Sequence, residues 1–453
     1  MSAIPKGLVS RETLKQMTGI KCYRTTITPS NSSGTYEYEP TGNNRVIFDI
    51  PAFENSFINT KRSYIRFQLT ATGANSDDAI MTPGAPVFRR LLLKGNKGQV
   101  LEDIDSYDVL CRIMNNFKQT SELETKSYLS KDTRRYNVDT TTVWTNGHNC
   151  IHELNSGLLG KSQEFMVPVS ALNASQGNAF RLELWLNDIP KVFSASKHAS
   201  GVVIGYKLSE VAYEMELVEV SPEIMSDINR ELANGSQIPL PYTSFRSHTS
   251  HMASGKTFKA NISESAHNVE AVYTVLYPQT AGSSITANID TTKIKESNKD
   301  PYRFTGGRWK LTAAGANVAN DQIITKYSYK YGAKYYPLAP VNLDKDSILA
   351  LENVISGFEL DEKMPFLAEP VEGFLFSHFE SDAFVIAQNF KTTNDNLYNG
   401  LNSSSTGSPI ELNIEFNTSL VSGTTGDLEI QSFIQSTNVL YIQQNGMASV
   451  VKN

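Results

Sequence analysis

The chain has 453 residues, of which 40% are hydrophobic and only 19% charged, so it can bury a sizeable core and lacks the composition of a disordered protein. A formal net charge of -6 leaves no global basic field, which argues against phosphate-backbone binding as the main activity and leaves open only a local basic patch. Aromatics reach 10%, and long runs of Leu, Ala, Glu and Lys are scarce, a balance that favours pleated sheets over helices.

The first ten residues lack an apolar signal core, and no window approaches the roughly 18 apolar residues of a membrane span, so the chain is expected to be made and kept inside a cell. Residues 10–18 begin with a plausible N-cap, Ser10, and predict a short helix with Leu14 and Met17 on one face, stopped by Gly19. The Ser-, Asn- and Gly-rich stretch 28–44 reads as a loop or extended arm. Strands are expected over 45–50, closed by Pro51, over 64–70, where Ile65, Phe67 and Leu69 alternate with polar residues, and over 87–93.

Leu101, Ile104, Tyr107, Val109, Leu110, Ile113, Met114 and Phe117 then recur at helical spacing, predicting one amphipathic helix among the strands. Glu102, Asp103 and Asp105 would sit in its first turn, where they complement the dipole better than they make an acid/base pair. Strands resume over 164–169, 181–187 and 202–220. Ser221-Pro222-Glu223 starts a helix that runs to Asn234-Gly235, and Ile238-Pro239-Leu240-Pro241 reads as a stiff linker.

Beyond it, strands are expected over 257–262, 269–277 and 323–331, with 278–320 as a long excursion, then a helix over 343–355 and strands over 384–390, 411–416, 428–434 and 439–443. The second half repeats the first in outline. Leu182-Glu-Leu184-Trp-Leu186-Asn187 matches Leu412-Asn-Ile414-Glu-Phe416-Asn417 at an offset of 230 residues, and Asp105-Ser106 has a counterpart in Asp346-Ser347 at 241. Two copies of a unit, each with about eight strands and one inserted helix, predict two β-sandwiches in tandem.

Candidate chemistry is sparse. Asn155-Ser-Gly-Leu-Leu-Gly160-Lys161-Ser162 nearly spells a phosphate loop, but Asn155 stands where that loop needs glycine, and a strand rather than a helix is expected after it. His148-x-Cys150-x-His152-Glu153 would put three soft ligands on one strand face, yet no fourth ligand is near, and a turn seeded by Asn146-Gly147 with exposed histidines is the favoured reading. His248 and His251 read as solvated loop histidines rather than proton switches. Cys22, Cys111 and Cys150 form neither a disulfide framework nor a CxxC pair, which suits a reducing compartment. Six N-x-S/T sequons read as chance matches in a Ser-, Thr- and Asn-rich chain. Tyr327, Tyr329 and Tyr331 alternate with Ser328 and Lys330 and read as sheet or intersubunit packing rather than a stacking platform.

Three segments carry a resemblance: Ile50-Pro51-Ala52 through Ser63-Tyr64-Ile65-Arg66-Phe67; residues 89–101 followed by Glu102-Asp103-Ile104-Asp105-Ser106-Tyr107; and Leu184-Trp185-Leu186-Asn187-Asp188-Ile189. Together with the tandem organisation, they make nearly the whole chain similar to the double jelly-roll major capsid proteins, closest to those of polinton-like viruses and virophages. The resemblance implies a mainly β fold of two tandem eight-stranded jelly-roll sandwiches, each with an inserted helix. Residues 1–44 would form a helix and arm, 45–220 the first jelly roll, 221–241 a helix and proline linker, and 242–453 the second.

It further implies a non-enzymatic homotrimer of pseudo-hexameric outline that tiles an icosahedral shell around double-stranded DNA, so the protein would reside in the virion. Neighbouring capsomers, penton proteins and minor capsid proteins would be its partners. No catalytic residue, cofactor, metal or specific nucleic-acid contact is expected, and contact with an internal membrane is left open. Leu14, Met17, Tyr327, Tyr329 and Tyr331 are the candidate intersubunit contacts. The alternative is a two-domain β-sandwich protein that binds or cleaves glycans, for which Trp144, Trp185 and Trp309 would be stacking candidates.

Overall fold

The computed structural model describes residues 20–32, 37–73, 76, 79–82, 87–117, 143–169, 178–196, 205–252, 255–278, 302, 304, 324–357, 384–391, 399–404, 409–420, 428–443 and 448–451. The expected N-terminal helix with Leu14 and Met17 lies outside these residues, as does nearly all of the excursion over 278–320.

In the first half, strands β1 (Lys21–Ile27), β2 (Arg45–Pro51), β3 (Ser56–Thr72), β4 (Ala79–Met81), β5 (Phe88–Gly95) and β6 (Val100–Ile104) precede helix α1 (Tyr107–Phe117). Strands β7 (His148–His152), β8 (Asn178–Leu186), β9 (Phe193–Ser196) and β10 (Gly205–Glu219) follow it. Eight of them build two sheets, β1-β10-β3-β7 and β2-β8-β5-β6, while β4 and β9 pair separately. Counted in chain order, the eight sandwich strands run 1-8-3-6 and 2-7-4-5, the order of a jelly roll.

Helix α2 (Pro222–Ala233) leads into β11 (Ile238–Met252), β12 (Gly255–Ile262), β13 (Val269–Pro278), β14 (Ile324–Tyr331) and β15 (Lys334–Asn342). Helix α3 (Leu343–Gly357), β16 (Ile386–Asn389), β17 (Ile410–Leu420), β18 (Leu428–Ile442) and β19 (Ala448–Val451) follow. The second pair of sheets is β11-β18-β13-β16, extended by β19, and β12-β17-β14-β15, so its first eight strands repeat the order 1-8-3-6 and 2-7-4-5. The inserted helices α1 and α3 each fall between the fifth and sixth strands of their own sandwich. The repeated alternating strings occupy β8 and β17, the seventh strand in each copy.

Period-two alternation builds the interior. Val46, Phe48 and Ile50 on β2 stand opposite Leu184, Leu182 and Phe180 on β8, and Leu91 and Leu93 on β5 face the same two leucines from the other side. All are buried. Each such side chain contributes about 2 kcal/mol, and slipping a strand by one residue would turn its apolar row to solvent, so the register is strongly specified. The buried apolar cluster is continuous across both sandwiches.

Several local expectations are corrected. β1 falls between the expected helix and the stretch 28–44 read as an arm, where the sequence predicts no strand; it pairs with β10 along Lys21–Ile27, and its mostly exposed side chains gave no alternating signal. The helix read from residue 101 begins at Tyr107, because Leu101 and Ile104 belong to β6, which closes a hairpin onto β5. Ile238-Pro239-Leu240-Pro241 is no free linker but the start of β11, where edge position tolerates proline. His248 and His251 are therefore on a strand, not a loop.

β18 is one strand rather than two, because β11 pairs with it along its whole length, through Ser436-Thr437-Asn438. The strand read over 164–169 reduces to a bridge between Val167 and Ile58. β15 was not legible because Pro337 and Pro340 interrupt it.

Candidate functional site

No pair of carboxylates converges in a cleft among the described residues, but two clusters of buried polar groups lie where the two sandwiches meet. They make this seam. The first is built around Glu102, on β6, which is 1% exposed. Its carboxylate accepts the Ser156 hydroxyl, the Gly157 N–H at 2.7 Å and the Leu158 N–H. The Leu159 N–H in turn donates to Ser156 Oγ at 3.0 Å. The string that nearly spelled a phosphate loop thus wraps backbone amides around a carboxyl group of the chain itself.

Its glycines have a steric cause. A Cβ on Gly157 would stand 1.4 Å from the Thr243 carbonyl oxygen of β11, and one on Gly160 would stand 2.1 Å from the Ser156 carbonyl oxygen. Two hydrogen bonds flank this close approach across the seam. Gln163 Nε2 donates to the Pro241 carbonyl at 3.2 Å, and the Tyr242 hydroxyl donates to the Leu101 carbonyl at 3.1 Å.

The second cluster centres on Asp108 in the first turn of α1, which is 2% exposed. It accepts Lys191 Nζ at 3.0 Å, the Tyr302 hydroxyl at 2.9 Å and Asn187 Nδ2 at 3.3 Å. Asn187 Nδ2 also donates to the Tyr302 oxygen at 2.6 Å, and the Tyr206 hydroxyl holds the Asn187 carbonyl at 2.5 Å. Burial pulls the Lys191 ammonium down, but Asp108, helped by Asp188 and by Glu429 of the second half, outweighs it and holds the lysine above its ordinary value. Tyr302 is therefore a bolt from the second half into the first.

Two titrating groups sit near the first cluster with opposite displacements. Loss of water raises Glu102 from 4.5 to about 7 against the three hydrogen bonds that favour its ionised form. His152, edge-on to Phe88 at 5.3 Å and Tyr107 at 5.6 Å, is pushed by burial from 6.5 to about 4. Its Nε2 lies 2.9 Å from the Tyr107 hydroxyl, which accepts the Asn155 N–H.

The stability owed to neutral Glu102 is complete below pH 4.5 and is lost as pH rises through about 7. That owed to neutral His152 is lost as pH falls from 6.5 through about 4. Between about pH 4.5 and 6.5 the two slopes cancel, so Glu102→Gln is expected to uncover His152. The variant's stability relative to the parent should rise by about 1.4 kcal/mol per pH unit across that window, read from urea midpoints at several pH values. A constant difference across the window would sink this assignment.

The other sequence candidates disperse. His148, Cys150 and His152 do share a strand, β7, but His148 Nε2 lies 2.9 Å from the Val143 carbonyl while His152 turns to Tyr107. Among the described residues no three His, Cys, Asp or Glu side chains are grouped to hold a metal ion. Asp103 and Asp105 do not cap a helix but pair with Arg90, each at 2.9 Å. Tyr327 and Tyr329 are buried inside the second sandwich, Tyr329 bonding to Thr274 at 2.9 Å, so within the chain their alternation reports the core. Tyr331 is half-buried and donates to the Asn402 carbonyl at 2.7 Å.

The two described tryptophans offer no open stacking face. Trp144 is buried, and Trp185 is covered by the guanidinium groups of Arg45 and Arg90 at 5.8 and 5.0 Å; Trp309 lies outside the described residues. Glu183, 3% exposed beside Trp185, is neutralised by Arg45, Lys94 and Arg181.

Two sandwiches of one strand order, bolted together at a polar seam, define a double jelly roll. Solved structures similar to this fold include capsid proteins of large viruses. VP54 of PBCV-1, fitted into a reconstruction of the virophage Sputnik, is similar with a TM-score of 0.59 at 12% identity, over 96% of this chain and 97% of that one. The Faustovirus major capsid protein gives 0.56 at 10% identity, over 94% and 91%. A chain of the Sputnik virophage gives 0.51 at 10% identity, over 96% and 89%. No family model matches the sequence, and no curated protein matches it either.

Proposed function

We propose that the chain is the major capsid subunit of an icosahedral virus, a non-enzymatic assembly protein found in the virion. The observation that carries this reading is the co-extensive fold: the likeness to VP54 spans 96% of this chain and 97% of that one. A seam built from buried hydrogen bonds suits the role, because a shell tile must transmit lateral contacts through both sandwiches as one body.

In this reading three copies associate around a three-fold axis, and their six jelly rolls give a tile of hexagonal outline. The tiles cover the shell around double-stranded DNA, with penton and minor capsid proteins at special positions. The glycan-binding reading lacks a comparable observation, since Trp185 is already covered by two arginines.

Expressed protein should elute as a particle of three 50.2 kDa chains or larger, and negative-stain images should show a hexagonal outline. A stable monomer at micromolar concentration that binds glycans would overturn the proposal.

A further inference from the structure

We propose that Glu102 makes the seam between the two sandwiches a proton-controlled joint, closed while its carboxyl is protonated and loosened when it ionises. The inference concerns a single chain and does not depend on the capsid reading. Its basis is position. The point where a Cβ of Gly157 would stand is 1.4 Å from the Thr243 carbonyl oxygen of the second sandwich and 3.0 Å from Glu102 Oε1 of the first.

A protonated carboxyl at that place can donate to the carbonyl. An ionised one sets two negative oxygens against each other in a water-poor seam, where such repulsion is weakly screened. The proton comes from solvent and returns to it, and no bond between heavy atoms changes.

Among the described residues no cation acts on the Glu102 carboxyl strongly enough to offset its burial. From α1 come Tyr107 and Cys111, and from β7 His152. From the loop after β7 come Glu153 and Lys161, already paired with each other. From β11 come Tyr242 and Arg246, the latter paired with Glu264 at 3.3 Å. On the neighbouring β5, Lys94 is paired with Glu183 at 2.9 Å and Arg90 with Asp103. What holds the ionised form is hydrogen bonding from residues 156–158 alone, and these are the residues pressed against β11. Loosening the seam admits water to the carboxylate, so ionisation and opening favour each other.

Amide hydrogen exchange of the full chain tests the joint at residues 156–159 and 240–244. With Glu102 at about 7 in the closed seam and 4.5 once wetted, the opening constant should be roughly 25-fold larger at pH 8 than at pH 5.5, after correction for intrinsic exchange. Glu102→Gln should bring that ratio within threefold of one. Ser156→Ala, which removes a donor to the ionised form, should move the midpoint of the pH response upward while leaving the carboxyl in place. A parent ratio within threefold of one, a Glu102→Gln ratio like the parent's, or a Ser156→Ala midpoint that is unmoved or lower would each overturn the proposal.

Discussion

Alanine at Gly157 is expected to destabilise the protein by about 3 kcal/mol or more, the upper end of overpacking costs, or to abolish soluble folded chain outright. The added methyl would meet the Thr243 carbonyl at 1.4 Å, a backbone atom in the middle of β11 that cannot rotate away as a side chain would. Relief requires the two sandwiches to part, which takes with it the Gln163 to Pro241 and Tyr242 to Leu101 hydrogen bonds. Gly42→Ala is the control: nothing lies within 4 Å of its added methyl, and its midpoint should stay within about 0.5 kcal/mol of the parent. Urea midpoints for the two variants decide the matter. A Gly157→Ala protein within 1 kcal/mol of the parent, on the same scale of overpacking costs, would show that the seam is not closed as described.

That glycine shows what a sequence can and cannot disclose. The string from Asn155 to Ser162 looks like an anion loop because it is one in chemistry: its amides wrap a carboxylate. The acceptor, however, is supplied by Glu102, more than fifty positions earlier, and no local pattern points from one to the other. Glu102 itself was legible only as one of three acids at an apparent helix start, because Leu101 and Ile104 happen to continue the spacing of α1 back through β6.

The tandem fold was far more legible, since alternation on β8 and β17 follows from burial of one face and survives in both copies. Edge strands were the systematic loss. β1 exposes most of its side chains, while β11 and β15 carry prolines that a central strand would reject, so in each the pairing partner rather than the local residues makes the strand. The tyrosines of β14 carried a correct period and an ambiguous meaning. Period two says that Tyr327 and Tyr329 share a face, and only the opposing sheet, with Thr274 bonded to Tyr329, says that the face is the core.

The second cluster predicts a comparable loss for Asp108→Ala, about 3 to 5 kcal/mol, because removing one partner of a buried charged network leaves the others desolvated and unpaired. Lys191 loses its closest counter-ion, and the Tyr302 hydroxyl and Asn187 amide lose a shared acceptor in a region where Asp108 is only 2% exposed. Tyr302→Phe removes a single hydroxyl and should cost about 1 to 2 kcal/mol.

The informative quantity is the double variant. If Tyr302 is the bolt joining the second half to α1, the two losses should fall short of additivity by about 1 kcal/mol or more, since the hydroxyl has no carboxylate to hold once Asp108 is gone. Additive losses would mean that the two side chains do not act on each other, and that the tie between the halves rests on the Glu102 cluster and the apolar core alone.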